Sequence, residues 1–328
     1  MIESRHKPIF ITGVPRSGTT WVANILGSGN NMRLLTEPDN EKYSFIAKRW
    51  KRSLHRFPFA ELSTESDQLH YFYGLILKGS YPKNRSIINH ILNQLAGYDK
   101  QGNESLVILK EIELENGALE PRAPKLLTSI QYGLTKEFWS RKNQLVIKSV
   151  HAGLCLPFIS HHFQPKIIII FRHPANIVSS CMELNIHDRD RKIYQRKELS
   201  QLLKPYQSQI NLLNDPLSFM GLQVGIFYYL WEKQMETNLD WIEITHEELC
   251  ADPVEQFKSL FEKIGISWTN FVEDKIISMN KPGKGFKTNR VAANLIDKWK
   301  NALSTDQIIK IQKGYSILPV KHYAEFRI

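Results

Sequence analysis

Four short runs of apolar, largely β-branched residues punctuate the chain: Pro8–Thr12 (PIFIT), Leu145–Ile147 (LVI), Lys166–Phe171 (KIIIIF) and Trp241–Thr245 (WIEIT). Their apolarity is continuous rather than alternating, which predicts strands covered on both faces, as in a parallel sheet. Helical spacing falls between and after them, over Thr19–Leu26, Pro174–Leu184, Leu217–Glu236, Pro253–Ile264 and Thr305–Lys313. Pro174 and Pro253 stand where a helix tolerates proline, in the first turn, whose N–H groups have no intrahelical partner. Strands alternating with helices predict an α/β fold with a parallel sheet flanked by helices. Two segments, about 39–143 and about 185–216, exceed what a minimal sheet needs and read as helical insertions that shape a substrate site. No repeat or Pro/Gly-rich linker divides the chain, so a single domain over 1–328 is expected.

Composition narrows the classes. A hydrophobic share of 42% and a charged share of 23% lie in the ordinary globular range, and no apolar run approaches a membrane span. The N-terminal MIESRHKPIFITG passes at once into an apolar strand, without the pattern of a secretory signal. Cys155, Cys181 and Cys250 lie far apart without metal or redox spacing, so they suit a reducing compartment and a cytoplasmic enzyme. Lys plus Arg exceed Asp plus Glu by 43 to 33, a net charge of +10 that attracts anions. Nucleic acid is not the expected partner, because the basic residues are scattered rather than interleaved with aromatics.

The candidate chemistry begins at Ile11–Trp21, ITGVPRSGTTW. Its glycines are spaced as in a phosphate-binding loop, yet Thr19 stands where the lysine of that motif belongs. Strand, glycine turn and helix together aim backbone N–H groups at an anion, and here the cation is Arg16, inside the loop. Such a loop can hold one tetrahedral group without a metal. A second stretch, Ile170–Ser180 (IFRHPANIVSS), ends an apolar strand in Arg172 and carries Ser180 on the following helix. The carboxyl end of a strand in an α/β sheet is where ligands bind, so Arg172 and Ser180 could grip a second phosphate.

PRSGTTW and R-x-P-x-x-x-x-x-S, in this order, resemble the sulfotransferases that use 3′-phosphoadenosine 5′-phosphosulfate (PAPS). The resemblance implies a P-loop-like fold and transfer of a sulfuryl group from PAPS to a hydroxyl acceptor, a carbohydrate or a small molecule, without metal. It implies that Arg16, Ser17, Gly18, Thr19 and Thr20 hold the 5′-phosphosulfate, that Trp21 stacks on adenine, and that Arg172 and Ser180 hold the 3′-phosphate. Glu37, in LLTEPDN, matches the general base of carbohydrate and tyrosylprotein sulfotransferases. Lys148, ending LVIK, resembles the lysine beside the bridging oxygen. The stretch His246–Pro253 is similar to Y-E-D-L-x-x-x-P, with His246 replacing the tyrosine near adenine. Lys287–Arg290 and Lys298–Trp299 look like the segment closing over the 3′-phosphate, which brings in Arg290 and Lys298. His151 is a rival base, because phenol and steroid sulfotransferases use K-x-H and this chain has Lys148-Ser149-Val150-His151, one residue longer.

Other clusters read as background. His161-His162 and His187-Asp188 lack further ligands at metal spacing, and Asp188–Lys192 reads as a solvated face. Two other classes stay open on the sequence. A nucleotide kinase without its lysine would carry an Asp after an apolar strand, where KIIIIF is followed by Arg172 instead. A non-catalytic anion or nucleic-acid binder would bind polymers with strong salt dependence.

Overall fold

The computed structural model describes residues 6–41, 45–51, 54–79, 144–186, 193–283 and 291–326. Five strands, β1 Ile9–Gly13, β2 Met32–Thr36, β3 Gln144–Lys148, β4 Lys166–Phe171 and β5 Ile242–Thr245, form a parallel sheet in the order β2-β3-β1-β4-β5. The four apolar runs of the sequence are β1, β3, β4 and β5. Strand β2 escapes that criterion because Arg33 interrupts it. The guanidinium of Arg33 is buried and donates to the Gly79 carbonyl at 2.6 Å, so a strand position that should be apolar carries a charge with a backbone acceptor.

The chain separates into two compact units. The first, 1–10 and 31–165, holds the β2–β3 pair and, among the described residues, the helices α2 Phe45–Trp50, α3 Asp67–Leu77 and α4 Leu156–Phe163. Its buried centre includes Leu35, Phe72, Val146, Ile147 and Phe158. Ser66 caps α3 by accepting from the Leu69 N–H. The long insertion expected from about residue 39 is described only at its start, where α2 and α3 are helical; residues 80–143 lie outside the described residues.

The second unit, 11–30 and 166–328, opens with α1 Thr19–Leu26 and continues with α5 Pro174–Glu183 and α6 Pro216–Met235. Beyond β5 come α7 His246–Ala251, α8 Pro253–Ile264, α9 Asn270–Met279, α10 Lys298–Ala302 and α11 Thr305–Tyr315. Short helical turns fill 193–211, in agreement with a helical insertion there. Every residue of β4 after Lys166 is buried, as a central strand of a two-faced sheet requires. Among the described residues no helix is long and apolar enough to cross a membrane.

Helices α6 and α11 pack backbone against backbone, and glycine makes this possible. A Cβ on Gly314 would run into the Ser218 carbonyl, and one on Gly221 into that of Ile311. Neither obstacle is a side chain that can swing away. Gly314→Ala should therefore cost about 2 kcal/mol or more and lower Tm by roughly 5 °C in calorimetry, and an unchanged Tm would refute the close approach.

Candidate active site

In the second unit the anion site grows out of two neighbouring strand ends. After β1 the chain turns at Val14, whose carbonyl accepts from the Ser17 N–H at 3.0 Å. Arg16 takes the left-handed conformation (φ 78°), unusual for a residue with a Cβ, and Gly18 follows at φ 95° as the N-cap of α1. No side chain caps α1, so its first-turn N–H groups face the loop. A Cβ on Gly18 would strike the His246 ring, so glycine is required there by both space and backbone angle.

Arg172, just past β4, is only 7% exposed. Its backbone is bracketed by one hydroxyl: Tyr228 accepts from the Arg172 N–H at 2.8 Å and donates to its carbonyl at 2.6 Å. Its Nη1 donates to the Arg16 carbonyl at 2.8 Å, and Arg16 Nε donates to Ser180 Oγ at 3.0 Å. Arg16, Arg172 and Ser180, far apart in sequence, thus form one cluster. The two residues that the resemblance assigns to opposite ends of the donor, Arg16 and Ser180, are in direct contact. Burial pushes the Arg172 guanidinium down from its ordinary value and Arg16 adds to this, while Glu247 and Cys250 pull it up. Three buried polar atoms here, Arg172 Nε, Ser17 Oγ and Thr12 Oγ1, have no hydrogen-bond partner among the described residues. Buried donors without partners, beside two cations and an uncapped helix start, fit a multiply charged anion.

The surroundings suit an aromatic ring as well. Trp21 meets Phe257 edge-on at 5.1 Å and His246 at 6.0 Å, while staying partly exposed. His246 is buried, and burial with Arg172 nearby drives its pKa well below the ordinary imidazole value, so it is neutral. Thr19 is buried and Thr20 partly exposed in the first turn of α1. Lys298 pairs with Glu183 at 2.5 Å on the surface, and Arg290 lies outside the described residues. The same holds for the rest of Lys287–Arg290, for His187 and for the run Asp188–Lys192.

The first unit carries a separate buried network. Parallel register sets Thr36 beside Lys148, and the ladder runs one step further as the Glu37 N–H donates to the Lys148 carbonyl at 2.7 Å. Glu37 is also left-handed (φ 49°), and its carboxylate pairs with the Lys148 ammonium and accepts weakly from the Val150 N–H at 3.4 Å. Burial raises the Glu37 pKa, but Lys148, His151 and these hydrogen bonds outweigh it and hold the carboxyl below its ordinary value.

Behind Glu37 stand the rival base His151 and, beside it, residues that sequence reasoning missed. Asp39 accepts the Ser149 hydroxyl at 2.7 Å, and Lys51 donates to the carbonyls of Asp39 and Arg56 and to Glu41 at 2.8–3.0 Å. His151 is fully buried, its Nδ1 3.3 Å from the Lys51 ammonium and 3.5 Å from Glu41. Glu37, Asp39 and His151 each bring a possible ligand atom within 4.8 Å of the others. Lys148 and Lys51, however, already supply two positive charges at this cluster. Only a charged pair of positions at the start of an insertion, Lys51 and Glu41, could have signalled it in the sequence.

Because the native Glu37 is held below its usual range, its contribution to stability is present above about pH 4.3 and lost as pH falls through the native value. Lys148→Met leaves the burial of Glu37 largely unopposed and raises its pKa. The variant should lose about 3–5 kcal/mol at pH 7, and the deficit should narrow as the pH drops towards 4 and Glu37 takes up a proton. Urea unfolding at both pH values measures this; equal deficits would contradict the buried pair.

A family model described as "Sulfotransferase family" matches residues 8–270. No curated protein matches this chain in sequence. Among solved structures, a sulfotransferase domain from the curacin biosynthetic pathway is 14% identical, with 95% of this chain and 99% of that one covered and a TM-score of 0.48. The sulfotransferase domain of the Synechococcus PCC 7002 olefin synthase is 15% identical over 97% and 99%, at a TM-score of 0.44. A mouse sulfotransferase complexed with PAP is 13% identical over 98% and 86%, at 0.42. With the family model spanning the loop, both strand-end arginines' neighbourhoods and the Glu37–Lys148 pair, the chain belongs to the sulfotransferase family and is a PAPS-dependent enzyme.

Proposed function

We propose that this enzyme transfers the sulfuryl group of PAPS to a hydroxyl of a carbohydrate or small molecule, by in-line attack with Glu37 as general base and without a metal. The observation that carries the donor assignment is the buried Arg172 guanidinium, whose Nε has no hydrogen-bond partner among the described residues and whose Nη1 meets the Arg16 carbonyl. Arg172 and Ser180 bind the 3′-phosphate. Arg16, Ser17, Gly18, Thr19 and Thr20 bind the phosphosulfate, and Trp21 and neutral His246 flank the adenine.

Bound PAPS supplies an activated sulfuryl group whose leaving 5′-phosphate gains negative charge. Lys148 and Arg16 neutralise that charge. Glu37, held ionised at neutral pH, is in its proton-accepting form. As Lys148 turns to the leaving oxygen it relaxes its grip on Glu37, which becomes a stronger base when the acceptor hydroxyl must lose its proton. The Glu37 side chain keeps 13% exposure, whereas His151 has none and its Nδ1 faces Lys51, which supports Glu37 over His151. The ammonium groups of Lys148 and Lys51 support a metal-free site, since they occupy the electrostatic role a cation would take. A Glu base in place of K-x-H supports a carbohydrate-type acceptor, and three buried thiols without a disulfide support a cytoplasmic setting.

Two measurements check this. At 100 times its Kd, 3′-phosphoadenosine 5′-phosphate (PAP) should add about 2.7 kcal/mol of stability in a thermal shift, with ATP adding far less; an ATP response as large would favour a kinase. Glu37→Gln should lower kcat by roughly 10²–10⁴ while leaving the PAP Kd nearly unchanged, and His151→Ala should lose less in the same assay. A fully active Glu37→Gln enzyme would falsify the base assignment.

A further inference from the structure

The strand end that carries Arg172 is held on three successive residues, and the last stretch of the chain takes part at two of them, Phe171 and His173. The His322 imidazole lies flat on the Phe171 ring, with centroids 3.8 Å apart and planes at 3°. The Arg172 backbone is bracketed by Tyr228. The His173 N–H donates to Glu247 Oε1 at 3.1 Å, and the other oxygen of that carboxylate accepts from the Tyr323 hydroxyl at 2.5 Å. Trp299 stacks on the His173 ring at 4.4 Å, and Phe326 packs against it at 4.6 Å.

The terminal stretch is itself anchored. Glu232 accepts from the backbone N–H groups of Lys321 and His322, both at 2.9 Å, and lies 2.7 Å from His322 Nδ1. Tyr323 sits in the left-handed region (φ 52°), a conformation that persists only where surrounding contacts over-determine it. Two acidic side chains, Glu232 and Glu247, thus fasten a segment that plain apolar packing would not orient.

We propose that Lys321–Phe326 is a positioning strap for the donor site, in which Tyr323, acting through Glu247, fixes the aim of the Arg172 guanidinium at the 3′-phosphate. The proposal rests on the reading that Arg172 holds that phosphate. Tyr323 and Glu247 are positioning residues, not catalytic ones. With its outer oxygen satisfied by the phenol and its inner one by the His173 N–H, Glu247 stays behind the strand end and leaves Arg172 to the ligand. Without the phenol, the carboxylate turns to the Arg172 guanidinium and draws it off the phosphate.

The test compares PAP with adenosine 5′-monophosphate, which lacks only the 3′-phosphate, by calorimetric titration of the full chain. Tyr323→Phe keeps the ring and removes one hydroxyl, and Glu247→Gln keeps an oxygen for the His173 N–H. Tyr323→Phe should weaken PAP about tenfold while leaving the monophosphate within about twofold, because only the 3′-phosphate contact is misaimed, whereas Glu247→Gln, with no charge to draw Arg172 aside, should leave both nucleotides within about twofold. Equal weakening of both nucleotides by Tyr323→Phe, or no weakening by it, overturns the strap. Arg172→Lys separates the two levels. If it binds PAP like the parent enzyme, the Arg172 reading falls and the strap with it. If it loses the preference for PAP while Tyr323→Phe keeps it, the strap alone falls.

Discussion

A guanidinium buried at the end of a strand must be compensated, and the second unit supplies less compensation than Arg172 needs. Its Nη1 finds the Arg16 carbonyl, its Nε finds no partner among the described residues, and the side chain nearest in the loop is another arginine. Taking such a group from water costs several kcal/mol unless hydrogen bonds and opposite charge replace its hydration. The left-handed Arg16, the glycine at 18 and the uncapped α1 are consistent responses to that requirement, since each turns a donor towards the same place. A folded state that gathers donors in this way gains affinity for an anion, and the excess of basic residues over the whole chain points the same way.

The first unit solves the opposite problem. Its carboxylates, the enclosed Glu37 and Asp39 and the partly exposed Glu41, are met by Lys148, Lys51, the Ser149 hydroxyl and His151. Burial and pairing pull the carboxyl pKa values in opposite directions. Pairing wins at Glu37 and Glu41, which are lowered, whereas burial wins at Asp39, which is raised. Neighbouring carboxyls driven apart in this way can divide labour, the ionised one accepting a proton while the other holds the geometry.

Much of this was legible in the sequence where chemistry and local geometry coincide. The strand-turn-helix around PRSGTT and the strand ending at Arg172 are local signals, and the sheet makes β1 and β4 neighbours. What stayed hidden depends on contacts between distant residues. Strand β2 was masked by Arg33, a buried cation that donates to the Gly79 carbonyl. Without β2 no pattern could reveal that Glu37 continues a ladder onto Lys148. Tyr228 and Glu247 look ordinary in their helices, and Tyr323 in a terminal tail; their roles arise from hydrogen bonds spanning 56 to 76 positions. For Lys298, which the resemblance places near the 3′-phosphate, the described contact is a surface pair with Glu183.

The most direct measurement is a crystal structure of the enzyme grown with PAP. The account predicts one phosphate within hydrogen-bond distance of the Arg172 guanidinium and the other against Ser17 and the first amides of α1, with the adenine beside Trp21. Nucleotide density elsewhere, or a phosphate pair that leaves Arg172 untouched, would contradict it.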